Sequence, residues 1–254
     1  MSDLRIETAG QVATVILDRP PVNALTISVY QQIAELFEEL GAAMDVNCAI
    51  FTASGTRAFC AGLDLKEFLA ASPEDDPRRA AIVRRCFSAV RNCAVPVIAA
   101  VNGPALGAGC VLTSVCDIRI AADNATFGLP EINVGRCGGG AHLGRLVPQG
   151  ALRRLFFTGR PIGAAEALRI NLVDEVVPSR ELMGAATELA AIIAAKSPLG
   201  LRYGKKALNE AEFLAVDEGY ALEQSYSTKL MFTEDAREAT RAALEKRVPV
   251  FKGR

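Results

Sequence analysis

The sequence has a single histidine, His142, in 254 residues. That excludes a histidine-rich metal centre, and the cysteines do not make one either. Cys48, Cys60, Cys86, Cys93, Cys110, Cys116 and Cys137 are odd in number and irregular in spacing, with no Cys-x-x-Cys pair among them. They read as reduced, mostly buried thiols of a cytoplasmic protein rather than a disulfide framework. An excess of one charge is also missing. The formal net charge is −1, so nothing global attracts nucleic acid or an anionic membrane. No apolar run reaches the ~18–20 residues of a membrane span. Met1–Gly10 carries acidic residues where a signal peptide needs an apolar stretch. Nucleotide-binding glycine patterns fail as well. Gly107-Ala108-Gly109 is followed by Leu112 where a dinucleotide fingerprint needs its third glycine. In Gly200–Lys206 the glycines are too close for a phosphate loop, and no Ser or Thr follows the lysines. Internal repeats and low-complexity segments are absent.

What is present is a globular composition, 50% apolar and 22% charged. It suits one large domain, or a domain with a small appendage. Val12–Leu17 is a short β-branched run that reads as a strand, broken by Pro20 and Pro21. Thr26 then caps a helix whose apolar residues Val29, Tyr30, Ile33, Leu36, Phe37 and Leu40 follow helical spacing, with Gly41 as its stop. Strands are expected at Cys48–Thr52, Pro96–Val101 and Asp117–Ala121, and a short one near Val173–Val177. Asp76-Pro77 marks a helix start, and Asn102-Gly103-Pro104 a turn into an apolar helix ending near Cys116. Phe127–Gly135 reads as irregular or weakly extended. Beyond Ala151 the pattern is largely helical, over Ala164–Ile170, Glu181–Ala195, Glu210–Tyr226 and Glu234–Lys246. Alternating strands and helices followed by a run of helices predict an α/β core with a helical C-terminal part.

Three stretches stand out chemically. In Phe59–Glu67 the small residues Cys60, Ala61 and Gly62 let something approach the backbone closely. In Val101–Cys110 a buried strand ends in a small-residue turn and opens a helix. The first amides of that helix have no acceptor within it and carry the positive end of its dipole, so they can hold a developing oxyanion. In Phe127–Gly135, Pro130 holds Leu129 extended and fixes Glu131 among apolar neighbours. Such a carboxylate can exchange protons near neutral pH, whereas at a solvent-facing turn it would be inert.

In order and spacing these stretches resemble the enoyl-CoA hydratase/isomerase (crotonase) superfamily. The resemblance runs from Leu17-Asp18-Arg19-Pro20 and Asn23-Ala24-Leu25, through Ala61-Gly62-Leu63-Asp64, Asn102–Cys110 and Phe127–Glu131. It continues through Phe157-Thr158-Gly159-Arg160 to Ala164–Val173. It implies a spiral core of repeated ββα units over residues 1–195 and a helical trimerisation region over 196–254. It also implies acyl-CoA substrates, a homotrimer or a hexamer of two trimers, and no metal, nicotinamide or flavin. Ala61 and Ala108 match the two amide donors of the family's oxyanion hole, Ala108 standing where glycine is commoner. Glu131 matches a catalytic glutamate. Gly62, Asp64, Lys66, Gly107, Val111, Pro130 and His142 fall around the implied substrate. Lys66, Arg57, Lys246 and Arg247 are candidates for the nucleotide phosphates.

The pattern is broken in two places. Hydratases resembling this chain carry a second glutamate where Val111 stands. One carboxylate still suffices to move a proton between two carbons, as in an enoyl-CoA isomerase. The loop Gly135–Leu143 looks about three residues short and holds His142, a possible second acid/base, substrate contact or local hydrogen-bonding group. Double-bond isomerisation is therefore the expected reaction. Hydration and a non-catalytic acyl-CoA-binding protein are the alternatives.

Overall fold

The computed structural model describes residues 3–254; Met1 and Ser2 lie outside it. Strand β1 (Leu4–Ala9) runs antiparallel to β2 (Val12–Leu17), with Leu4 opposite Leu17. Five of its six residues are exposed, so it shows no apolar alternation, and the hydrophobic pattern gives no sign of it. Helix α1 (Ile27–Ala42) begins at Thr26, whose hydroxyl accepts the Val29 N–H at 3.3 Å. It runs one residue beyond Gly41, the expected stop. Strand β3 (Cys48–Ala53) follows, then α2 (Leu65–Ala70), α3 (Asp76–Asn92), β4 (Val97–Val101), β5 (Ala105–Leu106) and α4 (Ala108–Val115). Next come β6 (Ile118–Ala122), β7 (Thr126–Gly128), a 3-10 turn over Pro130–Val134, α5 (Gly140–Leu143) and α6 (Gln149–Thr158). Strand β8 (Ile162–Gly163), α7 (Ala164–Arg169), β9 (Glu175–Val177) and helices α8 (Leu182–Ala194), α9 (Pro198–Ala211), α10 (Val216–Leu230) and α11 (Glu234–Glu245) complete the chain.

The long strands form one sheet in the order β1-β2-β3-β4-β6-β9, parallel from β2 onward. Short strands form a second ladder, β5-β7-β8, extended by the bridges Leu25–Leu63 and Cys60–Ala105. Each turn of chain thus supplies one strand to each ladder and then a helix, which is the expected spiral of ββα units. The second ladder aligns the three unusual stretches side by side. Leu25 N–H donates to Gly62 O at 2.7 Å, Leu106 N–H to Cys60 O at 2.9 Å, and Gly107 N–H to Gly128 O at 2.9 Å.

Period-two alternation divides the long sheet between two cores. Cys48, Ile50, Ile98, Ala100, Ile120 and Ala122 face α8 and meet its Leu182, Ala186, Ala190 and Ala194. Ala49, Phe51, Val97, Ala99, Val101 and Ala121 face the larger core that also takes in α1, α3 and α4. Helix α9 is absent from the sequence reading, where Gly200 and Gly204 weaken the helical pattern. The expected helix over Glu210–Tyr226 merges the end of α9 with α10, and the real break lies at 212–215. Polar anchors dock α9: buried Lys205 Nζ reaches Asp117 Oδ2 at 2.7 Å and Val95 O at 3.0 Å. Among the described residues no single helix is long and apolar enough to cross a membrane.

Candidate active site

The chain segment before α2 is pinned from two sides. Asn23 Nδ2 donates to Ser54 O and Ala58 O, at 3.1 and 2.9 Å, while its Oδ1 accepts the Arg19 N–H at 2.9 Å. Asn102 Nδ2 donates to Ala53 O at 2.8 Å and Gly55 O at 3.0 Å. Asp64 is an N-cap. It accepts the N–H groups of Lys66 and Glu67 at 3.0 and 3.1 Å and pairs with Arg19 at 3.0 Å. The Glu67 N–H, ahead of Arg19, holds its carboxyl below the usual range. Asp64 is therefore committed to the loop and not available to substrate, contrary to the sequence expectation.

The oxyanion stretch needs a second correction. The Ala61 N–H donates to Val22 O at 3.0 Å, so it cannot also bind an oxyanion. Two residues on, the Leu63 N–H makes no hydrogen bond among the described residues. The parallel bridge to Leu25 uses Gly62 O and the Asp64 N–H, leaving the intervening Leu63 amide free. Gly62, at φ +92°, makes the close approach possible. A Cβ there would stand 2.8 Å from Leu106 O, and 3.5 Å from the Ala108 nitrogen. Ala108 opens α4, so its own N–H lacks an intrahelical acceptor. Two free amides thus lie beside Gly62.

Glu131 follows Pro130 in the 3-10 turn after β7. Its carboxylate lies against Gly107, which sits at φ +55°; a Cβ on Gly107 would be 2.8 Å from Glu131 Oε1. Only glycine allows both that backbone angle and that contact. Half-burial raises the Glu131 pKa above the carboxylate norm, and its Oε2 is buried without a hydrogen-bond partner. The other nearby acids are occupied: besides Asp64, Glu67 accepts the Ile27 N–H at 3.1 Å and pairs with Arg79 at 2.7 Å. Glu131 is the uncommitted acid of this neighbourhood.

Val111 does not line an open pocket as expected. It is 2% exposed and lies beneath the shortened loop. A Cβ on Gly139 would stand 2.7 Å from Val111 Cγ2 and 2.8 Å from Leu129 Cδ2. Arg136 straps that loop to the opposite wall, pairing with Asp76 at 3.1 Å and covering the Phe68 ring at 4.8 Å. His142, in α5, is half-buried against Phe87, with ring centroids 5.5 Å apart. Burial, aided by Arg145 and Arg91, lowers its pKa. Lys66, Arg57 and Lys246 are exposed, and Arg247 is taken up by Glu238 and Glu245, each at 2.6 Å. All seven cysteines are free, six of them buried; Cys137, in the shortened loop, is exposed. Among the described residues no group of three or more His, Cys, Asp or Glu could hold a metal ion.

The model of the enoyl-CoA hydratase/isomerase family matches residues 7–254. The chain belongs to that family. A short-chain-enoyl-CoA hydratase of Clostridium acetobutylicum is 36% identical over 100% of this chain and 99% of its own length. A (7aS)-7a-methyl-1,5-dioxo-2,3,5,6,7,7a-hexahydro-1H-indene-carboxyl-CoA hydrolase of Mycobacterium tuberculosis is 40% identical over 86% of this chain and 89% of its own. The crystal structure of enoyl-CoA hydratase from Bacillus anthracis superposes with a TM-score of 0.95 at 32% identity, covering 99% of this chain and 100% of that one. This is the crotonase fold, and family membership implies an acyl-CoA substrate.

Proposed function

We propose that this chain isomerises the double bond of an enoyl-CoA by a one-carboxylate proton transfer. The N–H groups of Leu63 and Ala108 receive the thioester oxygen. The Glu131 carboxylate takes a proton from Cα of a 3-enoyl thioester. The electron pair moves onto the oxygen, which the two amides stabilise, and each such donor is typically worth about 3–4 kcal/mol to the transition state. The enolate then re-forms its carbonyl, the double bond shifts to C2–C3, and Glu131 returns the proton to Cγ. No water is consumed and no other group is needed.

One observation carries this reading: Glu131 is uncommitted and partly desolvated, while the position that would hold a second acid is apolar Val111, sealed by Gly139 and Leu129. Hydration is the second reading, favoured by the hydratase names of relatives such as that of Clostridium acetobutylicum. Mass spectrometry on 2-enoyl- and 3-enoyl-CoA substrates decides. Isomerisation predicts conversion of 3-enoyl-CoA without mass gain. Rapid conversion of crotonyl-CoA to 3-hydroxybutyryl-CoA, with 3-enoyl-CoA untouched, overturns it.

We also propose self-association into a trimer or a hexamer through the C-terminal helices. Phe213, Val216, Tyr220, Phe232 and Leu244 on and between α9, α10 and α11 are 60–86% exposed, more apolar surface than single scattered residues explain. Sedimentation at a multiple of three chains is expected; a species of 26.9 kDa contradicts it.

A further inference from the structure

Residues of α6, β8 and α7 line a cleft of about 540 Å³ that shares no residue with the candidate active site. Leu155 and Ile170, 2% and 4% exposed, and half-buried Ile162 give the cleft an apolar floor. Arg154, Arg160 and Arg169 line it as well, with Glu166 as the one acid. Glu166 is taken up by Arg169, through two contacts of 2.6 and 2.7 Å. Arg154 and Arg160, both exposed, have no carboxylate within ion-pair distance among the described residues. The Thr158 hydroxyl ties together the two segments that carry them. It donates to Arg154 O at 2.6 Å and accepts the Arg160 N–H at 3.3 Å. Residues 148–170 hold four arginines and one glutamate in a chain of net charge −1, so positive charge is concentrated around this cleft. Guanidinium groups pair with carboxylates and phosphates, often through two parallel hydrogen bonds. A bare ion would leave the apolar floor in water. A neutral chain would leave both guanidinium groups without a counter-charge.

We propose that this cleft is a second ligand site, for an amphiphilic anion: a carboxylate or phosphate carried on a short apolar chain. Arg154 and Arg160 receive the charged head, and Leu155, Ile162 and Ile170 take the chain. The cleft has the size of small-molecule pockets in general, which are mostly apolar with a few polar groups that fix the ligand. The proposal is independent of the reaction assigned to Glu131.

Calorimetry on the full chain, with acetoacetyl-CoA present to fill the acyl-CoA site, tests this. Sodium octanoate and octyl phosphate are the probes. 1-Octanol lacks the charge, and inorganic phosphate lacks the chain. At least one of the two amphiphiles is expected to bind about tenfold or more tighter than both controls, and the better of them tells carboxylate from phosphate. Added salt should weaken that binding. Arg154→Glu and Arg160→Glu should each remove the preference and leave acetoacetyl-CoA binding unchanged. The comparison among the four probes uses the wild-type protein, so a variant that fails to fold leaves the test intact. Absence of binding by both amphiphiles at millimolar concentration overturns the proposal. Inorganic phosphate bound as tightly as octyl phosphate does so too, since it shows an adventitious ion only. Amphiphile binding that survives both charge reversals places the ligand elsewhere and also overturns it.

Discussion

Two loops meet at the candidate site, and they are held in place by different means. The loop over residues 54–64 hangs on two side-chain amides: buried Asn23 and half-buried Asn102 each clamp two of its carbonyls or those just before it, and Asp64 caps its far end. The loop over residues 135–139 is tied by backbone hydrogen bonds only to its own flanks, the Arg136 N–H to Glu131 O at 2.9 Å and the His142 N–H to Gly139 O at 3.1 Å among them; across the site it is held by the Arg136 side chain and by Gly139 resting on Val111. The difference fits the roles proposed for them. Amides that receive a developing charge contribute only if they are fixed beforehand. A loop that covers the pocket must let substrate pass, and exposed contacts of low strength permit that.

The largest effect is expected at the carboxylate between them. Glu131→Gln should lower turnover about 10²–10⁴-fold, the usual worth of general acid/base catalysis, with acyl-CoA binding nearly intact. Its raised pKa has two consequences. As a base it must be ionised, so kcat should fall with decreasing pH through a value above the ordinary carboxylate range. The folded state also holds this proton more tightly than the unfolded chain. Its contribution to stability is therefore largest below the unfolded pKa and declines as pH rises through the folded one. The glutamine variant should accordingly melt no lower than wild type at neutral pH. A variant that keeps wild-type turnover removes Glu131 from the mechanism.

Val111→Glu comes next, and it tests the second loop's packing. The new carboxylate would have to enter a space filled by Gly139 and Leu129. A loss of about 3–5 kcal/mol in chemical denaturation is expected, because an unpaired acid is buried or the loop is pushed off. No hydratase activity should appear. Efficient hydration by a stable Val111→Glu protein would mean that the position opens into the site.

The same contrast explains what could be read in the sequence. Strand β2, the Thr26 cap, the Asp76-Pro77 helix start and the carboxylate at Glu131 each carry a local signal, and each is found where that signal puts it. Strand β1 carries none, since beyond Leu4 neither of its faces is buried. Ala108 is recognisable because an amide at a helix start is free by construction. The other free amide is not, because whether Ala61 or Leu63 spends its N–H depends on Val22 and Leu25, residues from another turn of the spiral. The seal over Val111 is a contact between segments far apart in sequence, and no spacing rule reaches it.

Asn23→Ala should be milder than Val111→Glu and act through the first loop. It removes three hydrogen bonds and leaves alanine at φ +53°, a backbone angle that asparagine tolerates better. A cost of about 2–4 kcal/mol is expected. Because Ser54 O and Ala58 O lose their clamp, kcat should fall while KM changes little, the loss being in transition-state alignment. A drop confined to KM would assign Asn23 to substrate binding.

Arg136→Ala should have the smallest effect on stability and the opposite kinetic signature. Its ion pair with Asp76 joins side chains that are 42% and 45% exposed, and exposed pairs contribute about 0–1 kcal/mol. Stacking over Phe68 adds about 0.5–1 kcal/mol at such a site. Removing both should shift the denaturation midpoint only slightly. The strap links the Glu131 segment to α2 and α3, so its loss should widen the range of loop positions and raise KM several-fold with kcat nearly preserved. Salt separates the two contacts: the ion pair weakens with ionic strength and the stacking much less. Wild-type KM should therefore rise modestly with salt while that of Arg136→Ala stays flat. A large fall in kcat at constant KM would instead show that this loop, like the first, holds part of the transition state.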